Sequence, residues 1–213
     1  MHEILAEQVK GIYLTGNLSK DVPAFLDRHG FPQTIRHSQQ VSEEAGRLAF
    51  RYGADPIKAA RAGWLHDVSV VFLNDQRVEV ARCLGLELLP EEERNPVLLH
   101  QKLSRVMAQE IFCVTDLDVL EAIGCHSTLK AGATLLDKVL FVADKLAWDQ
   151  TGNPPYYPEM AEAIEKSIDK AALVYIRSLY ERKDTLSFRL HPWLIEAYFE
   201  LSGPIPNPQY LLP

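Results

Sequence analysis

Six side chains able to bind a metal ion are spread along the chain: His37, the adjacent pair His66-Asp67, His100, His126 and Asp144. Imidazole and carboxylate together suit iron, manganese, zinc, cobalt and nickel. Asp144 is the most informative of them, because it sits inside the apolar run Val139-Leu140-Phe141-Val142-Ala143-Asp144. An ionised carboxylate in a buried helix is costly unless it is paired or holds a metal. Taken singly, each residue has an ordinary explanation. Asp144 could pair with an arginine or cap a helix, His66-Asp67 could arise by chance, and a histidine on an apolar face more often donates to a carbonyl. The combination carries the argument. Six such groups converging inside a bundle suffice for two ions, with Asp67 placed to bridge them. Two ions sharing a water can lower its pKa from about 15.7 toward 7 and so supply a nucleophile for attack on phosphorus.

The elements that must position these residues read as helix after helix. Val41, Ala45, Leu48, Ala49 and Tyr52 form an amphipathic stripe that Gly53 ends. Asp55-Pro56 restarts a helix, with Asp55 as N-cap, and it runs to His66 and Asp67. Further helices are expected over 98–112, from a capping-box-like start at Thr115 to Asp118, over 135–146, and along the stripe Ile168, Ala172, Tyr175, Ile176, Leu179. His37, His66, His100 and His126 would each lie at or near a helix end. The segments 149–158 and 202–213 carry the Gly, Pro and Asn content of loops. No run of alternating strands stands out, so the expected fold class is all-α: one domain over 1–213, with a core at about 34–200 and an extended Pro-rich C-terminal tail.

Composition narrows the function classes. The formal net charge of -7 argues against a broad nucleic-acid-binding surface. The three cysteines, Cys83, Cys113 and Cys125, fit neither a zinc knuckle nor a redox pair, and the odd count suits a reducing cytoplasm. The start of the chain does not read as a signal peptide, and no apolar run is long enough to cross a membrane. A soluble cytoplasmic protein is expected. A homodimer is one option for its assembly.

The order His37, His66-Asp67, His100, His126, Asp144 resembles the HD superfamily of metal-dependent phosphohydrolases, and more narrowly the YqeK-type proteins, which are symmetrical diadenosine tetraphosphate hydrolases. The similarity extends beyond the ligands. His37-Ser38 with Val41 resembles that family's HSxxV segment, and Lys58 to Asp67 resembles KAxxAGxLHD. Leu98 to Lys102 resembles LLHGK, His126-Ser127-Thr128 resembles HTT, and Leu136 to Asp144 resembles LDKxxFxAD. Asp169-Lys170-Ala171 and His191-Pro192 resemble its closing DKA and HP segments, so the match spans roughly 34–198.

The resemblance implies a helical bundle with the metal site in its core. It implies His37, His66, Asp67 and Asp144 around one divalent ion and Asp67, His100 and His126 around the other, with iron as the metal. It implies a small nucleotide substrate, such as diadenosine tetraphosphate cut to two ADP, with a nucleoside mono- or triphosphate as a second option. Some positions depart from the pattern: Val70 stands where the family has a lysine, Thr34 and Lys130 where it has arginines, and Lys145 to Asp149 replace a Glu-Pro segment. The ligand set is thus complete while groups expected near phosphate have changed.

The phosphate charge needs cations or donors near it. Lys102, two residues beyond His100, is a candidate for catalysis and phosphate binding alongside the catalytic Asp67. Lys130, Ser127 and Thr128 are further phosphate candidates, although both lysines could equally be solvated. Trp148, one helical turn beyond Asp144, has the best claim among the tryptophans to stack on a base. The alternative reading is a degenerate HD domain that binds a nucleotide or a partner protein without turnover.

Overall fold

Twelve α-helices follow one another in the computed structural model, which describes residues 1–148 and 152–203, and none of those residues is in a strand. The first part of the chain forms α1 (Glu3–Gln8), α2 (Leu18–Arg28), α3 (Pro32–Tyr52), α4 (Pro56–Leu65), α5 (Arg77–Cys83) and α6 (Pro90–Arg94). Then come α7 (His100–Glu110), α8 (Leu117–Cys125), α9 (Leu135–Leu146), α10 (Tyr157–Ala163), α11 (Ile168–Tyr180) and α12 (Pro192–Ser202). Short 3-10 turns, Val68–Val71 and Pro96–Leu99, follow α4 and precede α7. No described helix is long and apolar enough to cross a membrane.

The all-α expectation holds, and several helix boundaries are those expected. Asp55 caps α4 by accepting from the amides of Ile57 and Lys58, and Gly53 ends α3 in the left-handed region at φ 82°. Asp116, within the expected capping segment, caps α8. Two boundaries need correction. The helix expected from Val41 begins at Pro32, because a proline at the first helical position suits the start and the buried stripe continues backward through Ser38. His37 therefore lies inside a helix rather than at its end. The loop expected over 149–158 gives way to α10 at Tyr157, whose second residue is again a proline. Residues 149–151 of that loop and the tail from 204 lie outside the described residues.

Helix α9 is the spine. Its residues Val139, Leu140, Phe141, Val142 and Ala143 are fully buried, and it packs against α3, α4, α8 and α11. Helices α3 and α4 meet unusually closely. A Cβ placed on Gly63 would lie 2.5 Å from the Ser42 Cα, so only glycine admits this approach. On α3 the buried face is made of small or branched residues, Ser38, Val41, Ser42 and Ala45, which lets the two backbones come together. The result sets the end of α4, where His66 sits, beside the middle of α3, where His37 sits. On the other side, α8 packs on α7 and α9 and brings His126 against His100.

Candidate metal centre

His66, His100 and His126 are held by the same local device. His66 follows α4 and its Nδ1 donates to the Gly63 carbonyl at 2.8 Å. His126 follows α8 and its Nδ1 donates to the Ile123 carbonyl at 2.8 Å. His100 opens α7 and its Nδ1 donates to the Val97 carbonyl at 2.5 Å. In each case the acceptor is the carbonyl three residues earlier, in the last turn of the preceding helix or 3-10 turn. His37 reaches the same state by a long-range route, its Nδ1 donating to the Ala147 carbonyl at 3.1 Å, just past the end of α9. A carbonyl can only accept, so all four rings carry hydrogen on Nδ1 and leave Nε2 as a lone pair. Such outer partners fix the tautomer and aim of a metal-binding imidazole.

The four Nε2 atoms point at two carboxylates. Asp67 divides its oxygens: Oδ2 lies 3.3 Å from His66 Nε2 and 3.8 Å from His37 Nε2, while Oδ1 lies 3.5 Å from His100 Nε2 and 3.6 Å from His126 Nε2. Asp144 Oδ1 lies 3.0 Å from His37 Nε2 and 3.4 Å from His66 Nε2. Two triads, His37-His66-Asp67 and Asp67-His100-His126, have ligand atoms close enough together to hold a metal ion each, and Asp67 belongs to both.

The donor set fits cations. His37 and His66 face each other at 3.2 Å between Nε2 atoms, and His100 and His126 at 3.0 Å. With every Nδ1 hydrogen committed to a carbonyl, two lone pairs oppose each other in each pair, and a positive charge between them removes the repulsion. Without a metal, a proton supplies that charge on one side. Burial disfavours charged His66, but Asp67 and Asp144 outweigh it and raise its pKa to about 10. At His100 burial dominates, with the charges of His126 and Arg77 acting in the same direction against Asp67, and its pKa falls to about 4. Burial likewise holds His126 down. Asp67 and Asp144 are held well below the usual carboxylate range, because the surrounding His66, and Lys145 at Asp144, outweigh the cost of burial.

Several supporting residues escaped the sequence reading. Lys145 is buried, lies 2.5 Å from Asp144 Oδ2, and donates to the His126 carbonyl at 3.0 Å. It thereby links the two halves of the centre. Ser69 is buried, and its hydroxyl donates to the His100 carbonyl at 2.8 Å. Gln101 accepts from the Ser127 amide at 3.1 Å and donates to Thr128 Oγ1 at 3.1 Å, fixing the turn after His126. That turn ends on Leu129 at φ 57°, a strained conformation for a side chain of this size, held by full burial of the leucine. The signal for Lys145 was present, since a lysine in an apolar run beside an aspartate is an expensive choice. No sequence signal marked Gln101.

The phosphate candidates divide. Ser127 is at the cluster, its hydroxyl donating to His100 Nε2 at 2.8 Å. Lys102, Lys130 and Thr128 are not brought there. Two residues along a helix is a rotation of about 200°, so when His100 faces Asp67 its neighbour Lys102 faces away. The Lys102 ammonium lies 2.7 Å from Glu92 Oε2 and donates to the Glu87 carbonyl at 3.0 Å. Lys130 pairs with Glu121 at 2.8 Å. Thr128 is 1% exposed, and its hydroxyl is engaged with Gln101 and the Leu129 carbonyl. Val70 contributes no charge. His191 caps α12 and also lies 3.3 Å from buried Glu92.

A cleft of about 660 Å³ is lined by Glu43, Glu44, Arg47, Ala147, Trp148 and Tyr157 among others, with none of the six candidate ligands in its wall. Ala147, whose carbonyl holds His37, forms part of its wall.

Known proteins share both the chain pattern and the fold. The family model for the HD domain matches residues 34–149, which include all six candidate ligands. A protein of Lactococcus lactis subsp. cremoris from the pepC 5′ region is 44% identical over 142 residues, 67% of this chain and 71% of its own. The Bacillus subtilis protein named symmetrical bis(5′-nucleosyl)-tetraphosphatase is 30% identical over 144 residues, 67% of this chain and 75% of its own. A solved structure from Clostridium acetobutylicum, described as a predicted HD superfamily hydrolase involved in NAD metabolism, superposes with a TM-score of 0.79 at 28% identity, covering 90% of this chain and 98% of that one. This chain belongs to the HD domain family of metal-dependent phosphohydrolases.

Proposed function

We propose that the chain hydrolyses phosphoanhydride bonds of dinucleoside polyphosphates at a centre of two divalent metal ions, cutting diadenosine tetraphosphate symmetrically into two ADP. The observation that carries the two-ion reading is the division of Asp67, one carboxylate oxygen toward His37 and His66 and the other toward His100 and His126. His37, His66, Asp67 and Asp144 would hold one ion, and Asp67, His100 and His126 the other. Iron is the proposed metal; the same donors accept manganese, zinc, cobalt or nickel. When bound, such ions supply an activated water and polarise phosphoryl oxygens.

The chain's own residues do the remainder. Four backbone carbonyls keep the imidazoles in one tautomer, so their Nε2 atoms need no reorientation on binding. Lys145 balances the charge of Asp144 and fixes its second oxygen away from the His37 side. Ser127, already within hydrogen-bonding distance of His100, offers a hydroxyl at the edge of the cluster for a phosphate oxygen. The cleft walled by Ala147 and Trp148 is of a size that takes a nucleoside. Trp148 gives it an aromatic wall and Glu43 and Glu44 give it acceptors for hydroxyl groups, while its acidity keeps phosphate at the ions rather than in the cleft. The substrate choice is supported by the Bacillus subtilis relative, whose name carries that reaction. The three free cysteines suit a cytoplasmic setting.

The test is incubation of the protein, supplied with iron or manganese, with a panel of dinucleoside polyphosphates and mononucleotides, using Asp67→Ala as control. Diadenosine tetraphosphate should give ADP as sole nucleotide product, and the variant should be inactive. Cleavage of a mononucleotide in preference would replace the substrate and keep the chemistry. Binding of nucleotide with no turnover of any kind would favour a binding-only domain.

A further inference from the structure

Lys102 and Lys130 are turned away from the metal centre, yet they line one cavity together. It holds about 340 Å³ and is walled by parts of α7, α8 and the start of α12, with none of the six candidate ligands in its lining. Arg105 is the third cation in the wall. It stands five residues beyond His100, about 140° round α7 from it, so it too faces away from the cluster. The remaining wall is apolar and includes Leu86, Val106 and Trp193.

Each cation is set in place by a neighbour. Lys102 pairs with buried Glu92, and its ammonium lies 5.4 Å over the Trp193 ring. The Arg105 stem crosses Gly124, where a Cβ would lie 2.9 Å from Arg105 Cδ and displace it. Lys130 follows Leu129, whose left-handed backbone turns the chain back toward α8.

Glu121 joins two of these cations. One of its oxygens accepts from Arg105 at 3.0 Å and the other from Lys130 at 2.8 Å. A single negative charge thus sits between two positive ones, in the position an incoming anion would take. The Glu121 side chain is 47% exposed, so it can turn into water, and ion pairs at such exposure contribute little to stability. A phosphoryl group brings more charge and more oxygens, and its bonds to guanidinium and ammonium are of the strong, charge-assisted kind. The other carboxylate in the wall, Glu87, is exposed and free to point into water.

We propose that this cavity binds an organic phosphate, of the class of a nucleoside diphosphate. A phosphoryl group would lie between Arg105 and Lys130 in place of Glu121, with the apolar body against Leu86, Val106 and Trp193. The volume is within the range of small-molecule sites. The site is separate from the metal centre and independent of the reaction there. It is built on α7, which begins with His100, and α8, which ends at His126, so its ligand bridges the two helices that carry the second triad.

ADP is titrated by calorimetry into the metal-loaded full chain and into Asp67→Ala, whose centre is disabled. In both, one equivalent should bind at the cavity; inorganic phosphate should bind more weakly, and adenosine should not bind. Arg105→Gln, made in both backgrounds, should lose at least about tenfold in affinity for that equivalent, the scale of one charged hydrogen bond. Lys130→Gln should lose affinity as well. Glu121→Gln should bind ADP more tightly, because the competing carboxylate is gone, whereas a cluster that only braces the helices would lose melting temperature without this gain. Absence of ADP binding in Asp67→Ala overturns the proposal. So does binding indifferent to Arg105→Gln and Lys130→Gln, since the nucleotide would then lie in the cleft walled by Trp148 or at the centre. Weaker binding by Glu121→Gln, or equal affinities for ADP and inorganic phosphate, contradicts it too. Melting temperatures read in parallel show that each variant folds; should Arg105→Gln fail to fold, Lys130→Gln and Glu121→Gln decide by the same signs.

Discussion

At the scale of single residues, the centre depends on groups that set charge and tautomer rather than on the ligands alone. Lys145 is the clearest case. It is buried between Asp144, the His126 carbonyl and the rings of Phe141 and Tyr175. Truncating one member of a buried pair leaves the other charge unmatched, at a cost of about 3–5 kcal/mol. Lys145→Met is therefore expected to lower unfolding free energy by that order when a chelator is present, and by less when metal is supplied to Asp144. Urea unfolding under the two conditions measures this, and an equal loss in both would show that Lys145 does not balance Asp144. His37, His66-Asp67, His100, His126 and Asp144 were legible as a set because their types are costly in apolar helices. The placement of the phosphate candidates was not. Lys102 stands two residues beyond His100 in sequence, and helix geometry turns it about 200° away.

At the scale of elements, two junctions place the histidines. The first is the crossing of α3 and α4 at Gly63, where an added methyl would meet the backbone of Ser42. Gly63→Ala should lower stability by about 1–3 kcal/mol or more, because backbone rather than a flexible side chain must move. It should also weaken metal binding by separating His37 from His66. Thermal melting and metal titration of the variant check both, and an unchanged melting temperature would mean that the crossing is not constrained. The second junction is Glu92 in α6, fully buried, which accepts from the Leu89 amide, pairs with Lys102 of α7 and meets His191 at the start of α12.

Burial acts to raise the pKa of Glu92, but the bonds from His191, Leu89 and Lys102 together hold it below the ordinary value of 4.5. A carboxylate depressed in the folded state adds stability that is fully present above its unfolded pKa and is lost as pH falls through its folded pKa. Glu92→Gln should therefore be less stable than the unaltered protein at neutral pH, and the difference should shrink as pH drops below about 4.5. Melting curves at a series of pH values test the sign. The same junction explains part of what the sequence showed. Capping residues such as Asp55 and Asp116 announce helix starts through local chemistry, so those were legible. The role of Glu92 depends on partners 10 and 99 residues away, which no local pattern encodes.

At the scale of the whole molecule, the bundle concentrates two carboxylates and four imidazoles in its interior, and bound metal would offset the cost of gathering them. Ligand that binds the folded state alone stabilises it by about 2.7 kcal/mol at a hundred times its dissociation constant. Chelation should lower the melting temperature, and added iron or manganese should restore it. A melting temperature indifferent to chelator would mean that the cluster is self-sufficient. The all-α class was legible from the succession of apolar stripes. The depth of α9 in the core was legible too, because Leu135 to Leu146 is apolar nearly all round. The meeting of α3 with α4 and of α7 with α8 was not, since it depends on which faces pack.

Sharing of Asp67 between two ions is the proposed basis of the centre, and metal content per chain tests it most directly. The protein reconstituted with iron or manganese should hold two ions, His126→Ala and His37→Ala should each hold one, and Asp67→Ala should retain neither firmly. One ion in the unaltered protein, or the loss of both ions from either histidine variant with its fold intact, would contradict a centre built as two triads around one carboxylate.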